Sequence, residues 1–398
     1  MRIDVHTHYT PPSLKDDLVA FAEKEPYWGL LITPDPVNHT EQGWATPEQM
    51  IRDMDRAGLD KVVLLGEGQT THENAVERNN IGLEIMRKWP DRVMCFATVR
   101  PQAGQKAVDE LKRCIDAGMS GMGEMGHYSG GFRFDDPDFL RLVETCIDLG
   151  VPINLHSNEE VGHFYLGKSI VPLRHYYQLI CRYPEMRLIM AHWGGGILFY
   201  EIMPEVRRKL RNVYYDSAGG PLVFPTEAIF RAALQLIDHR KILYGSDYPL
   251  IICPDRQTGP DFDPFLKEID ALGLDPQIYA DIMGNNAARV FGYLKDEASP
   301  AAAPAEAVGF DAASPIITEL ADAQGVKPTP FMAVSLVANT WPGTRAVFEH
   351  YGITWKDTPV PYWEPVAQAA AARRMGPTAR QKLMAELIEA AEPRKGGA

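Results

Sequence analysis

The sequence predicts an α/β protein, a (β/α)8 TIM barrel followed by a small all-helical C-terminal module. Three observations carry this prediction. Short apolar runs of β type alternate with amphipathic segments of helical period over roughly the first 290 residues. Eight such runs occur, the number that closes a parallel barrel, and the length suits that fold. Several of them end in a histidine or an acid, and the C-terminal ends of barrel strands are where reactive groups gather.

The strand candidates, in order, are Ile3–His8, Lys61–Leu65, Val93–Val99, Gly121–Met125, Pro152–His156, Leu188–His192, Val213–Asp216 and Ile242–Asp247. Between them the period lengthens to that of a helix. Thr46-Pro47-Glu48 opens a helix over Thr46–Ala57, and Trp89-Pro90 closes one over Glu73–Lys88. Further helices are expected over Gln105–Ala117, Asp138–Leu149, Leu173–Arg182, Glu201–Leu210, Thr226–Ile237 and Gln277–Val290. A doubly wound open sheet lacks support, because no Gly-x-Gly-x-x-Gly follows the first strand.

At 398 residues the chain exceeds what one core sustains, so a large domain and a smaller one are expected. The barrel is assigned to residues 1–296, an Ala/Pro-rich linker to 297–313 and the helical module to 314–398. In the module, helices are expected over Phe331–Asn339, Gly343–Tyr351, Pro365–Arg374 and Thr378–Glu392, with Trp341, Trp355 and Trp363 as core or interface aromatics.

An apolar fraction of 45% and a charged fraction of 23% belong to an ordinary globular protein. The net charge of −13 argues against nucleic acid or an anionic membrane as partner and leaves a small-molecule substrate. Five scattered cysteines without Cys-x-x-Cys spacing indicate neither a disulfide framework nor a thiolate zinc site. A cytoplasmic location is expected, since the first strand begins almost at Met1 and no apolar stretch is long enough to span a bilayer. A homodimer is the expected assembly.

His6 and His8 lie two apart in a strand and so project to one face. His156, His192 and Asp247 stand at the ends of later strand candidates. Nitrogen and oxygen donors brought together in this way suit a divalent metal: zinc foremost, with manganese or iron also accommodated. Glu124 ends the fourth strand candidate between two glycines. One ion is expected; if Glu124 reaches the same site it is a further ligand and the centre could hold a second.

These residues lie in Asp4-Val-His6-Thr-His8, Pro152-Ile-Asn-Leu-His156, Ala191-His192-Trp-Gly-Gly-Gly196, Tyr244-Gly-Ser-Asp247-Tyr-Pro249 and the closing Gly284-Asn-Asn-Ala287. In this order they resemble the amidohydrolase superfamily, in the branch that includes aminocarboxymuconate-semialdehyde decarboxylase and its relatives. The resemblance implies that His6, His8, His156 and Asp247 hold a divalent metal, usually zinc, and that His192 faces metal-bound water or substrate. TatD-like hydrolases of the superfamily have a similar Gly-Glu segment, which implies a metal role for Glu124. The helical module resembles the N-terminal domain of iron-sulfur repair proteins through Pro342-Gly-Thr-Arg-Ala-Val-Phe-Glu-His-Tyr-Gly-Ile353. Where those domains carry cysteines, Thr354, Trp355 and Lys356 stand here.

The first functional expectation is a hydrolase acting on an amide, ester, lactone or activated C–C bond. The metal would lower the pKa of bound water to roughly 7, Asp247 would accept the proton and His192 would stabilise the developing charge. The alternative is a decarboxylase or hydratase of a carboxylated aromatic or muconate-like substrate, in which Arg100 would hold a carboxylate and Lys168 a substrate anion. A non-catalytic scaffold is the third reading, opposed by the complete ligand set. The loops Tyr9–Gly43, with Tyr27, Trp28 and His39, and Asn158–Ser169, with His163, are expected to shape access to the pocket.

Overall fold

The computed structural model describes residues 1–33, 41–126, 131–162, 165, 168, 171–294, 327–330, 332–355 and 364–391. The linker assigned to 297–313 and His39, His163 and Trp363 lie outside the described residues.

Eight strands form one parallel sheet in chain order: β1 Ile3–Thr7, β2 Lys61–Leu64, β3 Val93–Ala97, β4 Gly121–Met125, β5 Ile153–Leu155, β6 Leu188–Met190, β7 Val213–Asp216 and β8 Ile242–Leu243. The chain after β8 returns to β1: Val5 N donates to Tyr244 O at 2.9 Å and Asp247 N to His6 O at 2.9 Å. These bonds bring the first and last strands together, as the (β/α)8 pattern requires. The intervening helices fall close to expectation, for example Pro47–Ala57 capped by Thr46, His72–Lys88, Gln105–Asp116 and Leu173–Arg182.

Two expected helices are broken. Glu201–Leu210 divides into a 3-10 turn, Ile197–Ile202, and a helix beginning at Pro204, whose ring favours the first turn of a new helix. Gln277–Val290 is interrupted by a wide turn over Asp281–Asn285. There a Cβ on Gly284 would lie 2.0 Å from the carbonyl oxygen of Met1, so only glycine admits this approach. Ile3 and Val5 pack with Val63, Leu65, Met94, Phe96, Leu243 and Val290, while Asp4 and His6 take the alternate positions of β1.

The chain forms two compact units, and the second is discontinuous in sequence. The first comprises Met1–Asp16, Glu41–Glu160 and Leu173–Gly309; the second comprises Asp17–Thr40, Val161–Pro172 and Phe310–Ala398. The second unit therefore draws on two insertions from the barrel sequence as well as on the C-terminal segment. It contains helices Leu18–Lys24, Pro26–Ile32, Val334–Thr340, Thr344–His350, Val366–Ala372 and Pro377–Ala391. Val337, Phe348, Val366, Ala370, Leu383 and Leu387 form its core, with Trp341 and Trp355 packed against it. Among the described residues no helix is long and apolar enough to cross a membrane.

Candidate metal centre

β1 carries His6 into the barrel with no exposed surface and brings His8 to its end. Their Nε2 atoms are 3.1 Å apart. Glu124 Oε2 lies 3.7 Å from each of them, and Asp247 Oδ1 lies 3.6 Å from His6 Nε2 and 3.2 Å from His8 Nε2. The other oxygen of Glu124 turns to the second half of the site, 2.6 Å from His156 Nδ1 and 3.3 Å from His192 Nε2. His156, His192, Glu124 and Asp247 thus join the His6–His8 pair.

Local backbone geometry explains these positions. Gly123, with φ +136°, comes so close to β5 that a Cβ would stand 2.5 Å from Asn154 O; this close packing sets Glu124 against β5 and its neighbour His156. His192 and Asp247 were expected at the ends of strands, but the strands stop earlier and both residues adopt left-handed backbone, φ +56° and +70°. A strand alternates its side chains, whereas a left-handed turn re-aims them. The Ala191–Gly196 turn is built on three successive left-handed glycines, and a Cβ on Gly195 would lie 2.4 Å from Asn158 O.

Two carboxylates that contact the site were not expected from the sequence. Asp216, at the end of β7 and fully buried, places Oδ2 3.0 Å from His6 Nδ1. Glu67, just after β2, lies 3.2 Å from His8 Nδ1, at charge-pairing distance but off the hydrogen-bond direction, and Arg78 pairs with it at 3.1 Å. Asp216 shows the same signal as Asp247, an acid closing an apolar strand run; Glu67 has no distinguishing local signal. Asn158 Oδ1 is 2.7 Å from His156 Nε2. The carbonyl of Ala218 accepts from His192 Nδ1–H at 2.9 Å, which orients the ring with Nε2 toward Glu124.

Burial works against every charge here, and at Asp247, Glu124 and His192 it is outweighed. It would raise the Asp247 carboxyl, but the His6, His8 and His192 rings hold it at about 2. It would raise Glu124, but His156 and His6 hold that carboxyl well below the usual range. It would lower His192, but the Glu124 bond and the Asp247 charge lift it to about 10. Burial does dominate at Asp4, pushing its carboxyl up to about 7 although Ser246 and His6 donate to it.

The donor set fits a divalent ion. His6, His8 and Glu124 hold ligand atoms within 4.8 Å of one another, as do Glu124, His156 and His192, and His6, His192 and Asp247. Imidazole nitrogens facing each other at 3.1 Å between two carboxylate oxygens present lone pairs to one volume, which a cation satisfies.

The two expected substrate contacts differ in placement. Arg100 follows β3, is buried, and donates from Nη1 to Gln69 O at 2.9 Å. Lys168 is buried in the second unit, with Nζ 3.3 Å from Val161 O and 5.5 Å from the Tyr165 ring centre.

An amidohydrolase family model matches residues 3–293, well over half of the chain, and the chain belongs to that family. Over 348 residues it is 23% identical to the 2-amino-3-carboxymuconate-6-semialdehyde decarboxylase of Dictyostelium discoideum, covering 70% of this chain and 93% of that one. Over 246 residues it is 24% identical to a 2-keto-4-carboxy-3-hexenedioate hydratase from a Sphingobium strain, covering 54% of this chain and 70% of that one. Among solved structures it resembles 5-carboxyvanillate decarboxylase from Novosphingobium aromaticivorans, complexed with manganese and 4-hydroxy-3-methoxy-5-nitrobenzoic acid. That likeness has a TM-score of 0.56 at 17% identity, over 73% of this chain and 96% of that one. The family is thus one of enzymes whose relatives here are decarboxylases and a hydratase, and the comparisons favour the alternative reading over the hydrolase expected first.

Proposed function

We propose that the chain is a metal-dependent lyase of small carboxylated aromatic or muconate-like acids, acting as a decarboxylase, with hydration of such an acid as the second reading. The observation that carries this is the convergence of His6, His8, Glu124, His156, His192 and Asp247 on one volume at the C-terminal ends of the strands. Decarboxylase and hydratase relatives support the choice of chemistry.

His6, His8, His156 and Asp247 are the proposed ligands, and Glu124 would be a further ligand if a second ion bound. Zinc and manganese both suit these donors, as does iron. An ion held there would supply Lewis acidity to a substrate oxygen. Decarboxylation leaves the electron pair of the broken C–C bond on the substrate carbon, which must then take a proton. His192 is suited to deliver it: Nδ1–H is held by the Ala218 carbonyl, Nε2 faces the site, and Asp247 lies 3.9 Å from the ring to balance its charge. In the hydratase reading the same ring takes a proton from water. Arg100 remains the proposed partner of a substrate carboxylate. A cytoplasmic homodimer is the proposed setting, tested by light scattering and cell fractionation.

The deciding experiment supplies metal-loaded protein with carboxylated phenols and muconate-like acids, alongside amides, esters and lactones, in D2O. The expected result is CO2 release with one deuterium at the vacated carbon. Turnover confined to amides, esters or lactones would return the reading to hydrolysis.

A further inference from the structure

Two histidines of the site, His6 and His192, are both tied to one buried acid. Asp216 Oδ2 is 3.0 Å from His6 Nδ1. Its Oδ1 accepts from the backbone N–H of His192 at 3.0 Å and of Ala218 at 3.1 Å. The carbonyl of the same Ala218 accepts the Nδ1 proton of His192. Asp216 therefore acts on one ring directly and on the other through the left-handed turn that carries it, in which His192 has φ +56° and Trp193 φ +57°.

We propose that Asp216 is the positioning residue of the metal centre: by accepting a hydrogen bond from His6 Nδ1–H it leaves His6 Nε2 as a lone pair for the ion, and by accepting from the His192 and Ala218 amides it aims His192 Nε2 at the same volume. This rests on the metal-dependent reading above. A carboxylate only accepts, so the neutral His6 ring must present Nδ1–H to it. At His8 the nearest acid on Nδ1 is Glu67, at 3.2 Å and itself paired with Arg78.

The local geometry supplies an isosteric test, Asp216→Asn. Two backbone N–H groups converge on Oδ1 and would hold the amide oxygen there, which turns the new NH2 toward His6 Nδ1. A donor in that place favours the ring with its proton on Nε2, the wrong form for a ligand. Asn154, whose Nδ2 now donates to Asp216 Oδ2 at 3.3 Å, has an Oδ1 without a hydrogen-bond partner, so rotating its amide relieves the donor–donor contact. The substitution thus keeps the His192 turn and selectively reverses the bond to His6.

The experiment is competition for Zn2+ against a chelator of known affinity, with melting of the metal-free proteins as a fold control. Asp216→Asn is expected to weaken zinc about 10–100-fold while the metal-free melting temperature stays near wild type. Asn154→Ala disturbs the same pocket without altering the acceptor at His6 and is expected to bind zinc nearly as wild type. Equal affinity of Asp216→Asn and wild type, or an equal loss in Asn154→Ala, overturns the inference alone; wild-type protein that takes up no metal overturns the metal-dependent reading and the inference with it. Should Asp216→Asn fail to fold, imidazole 1H–15N spectra of zinc-loaded wild type decide, through the presence or absence of a hydrogen-bonded Nδ1 proton on His6.

Discussion

Glu124 Oε1 and His156 Nδ1 stand 2.6 Å apart at the C-terminal ends of β4 and β5, while the other Glu124 oxygen faces His6 and His8. One carboxylate is therefore shared by both halves of the site. Glu124→Gln keeps its shape and removes its charge, so elemental analysis of protein purified without chelator is expected to give a metal ratio well below wild type. An unchanged ratio would show that Glu124 is not a ligand.

Asp247 faces both β1 histidines and sits in a left-handed turn that a strand residue would not adopt. Asp247→Asn should abolish turnover of any substrate found in the acid panel. Turnover that survives it would remove Asp247 from the chemistry.

His192 has its Nδ1 committed to the Ala218 carbonyl and only Nε2 directed to the site. His192→Gln is expected to lower kcat by about 10²–10⁴-fold. Metal content should be retained, because His6, His8, Glu124 and Asp247 still surround the ion's position. A drop in metal content matching the loss of activity would make His192 a ligand instead.

Gly195 has φ +59° and lies against the Asn158 carbonyl. Gly195→Ala adds backbone strain on the order of 1–3 kcal/mol, together with a contact that backbone must yield to relieve. Because Asn158 also bonds His156, a lowered melting temperature should come with weaker zinc binding. A melting temperature equal to wild type would contradict the packing at this turn.

Asp281 receives bonds from Asn285 at 3.1 Å, Arg289 at 3.1 Å and His239 at 3.1 Å. Burial would raise its carboxyl, but these partners and Gln277 hold it at about 2, below the ordinary 3.8. A carboxyl lowered in the folded state stabilises above its unfolded pKa, and that contribution is lost as pH falls from about 4 to about 2. It is worth about 2 kcal/mol. Wild type should accordingly lose more stability than Asp281→Asn across that interval in acid-unfolding curves; parallel curves would rule the contribution out.

Much of this architecture is legible along the chain because the signals are local. The alternation of Ile3 and Val5 with Asp4 and His6, the Thr46-Pro47 start and the Trp89-Pro90 stop each depend on neighbours a few residues away. They suffice to predict eight strands in order, and the acids and histidines at their ends suffice to nominate His6, His8, Glu124, His156, His192 and Asp247. The β1–β8 order agrees with the predicted strands, and the six nominated side chains lie close together, their role as ligands remaining a proposal.

What the sequence by itself determined is the identity and order of the strands and the chemical nature of the groups they carry, because periodicity and side-chain chemistry are properties of short segments. Only the tertiary structure decided that Asp216 meets His6 across 210 positions, and that His192 and Asp247 leave strand geometry for left-handed turns. It also decided that helices Leu18–Lys24 and Pro26–Ile32 belong to the same compact unit as the C-terminal helices. These depend on closure of the barrel and on which backbone donors and carbonyls then surround each side chain, and no local pattern encodes a partner that arrives from another strand.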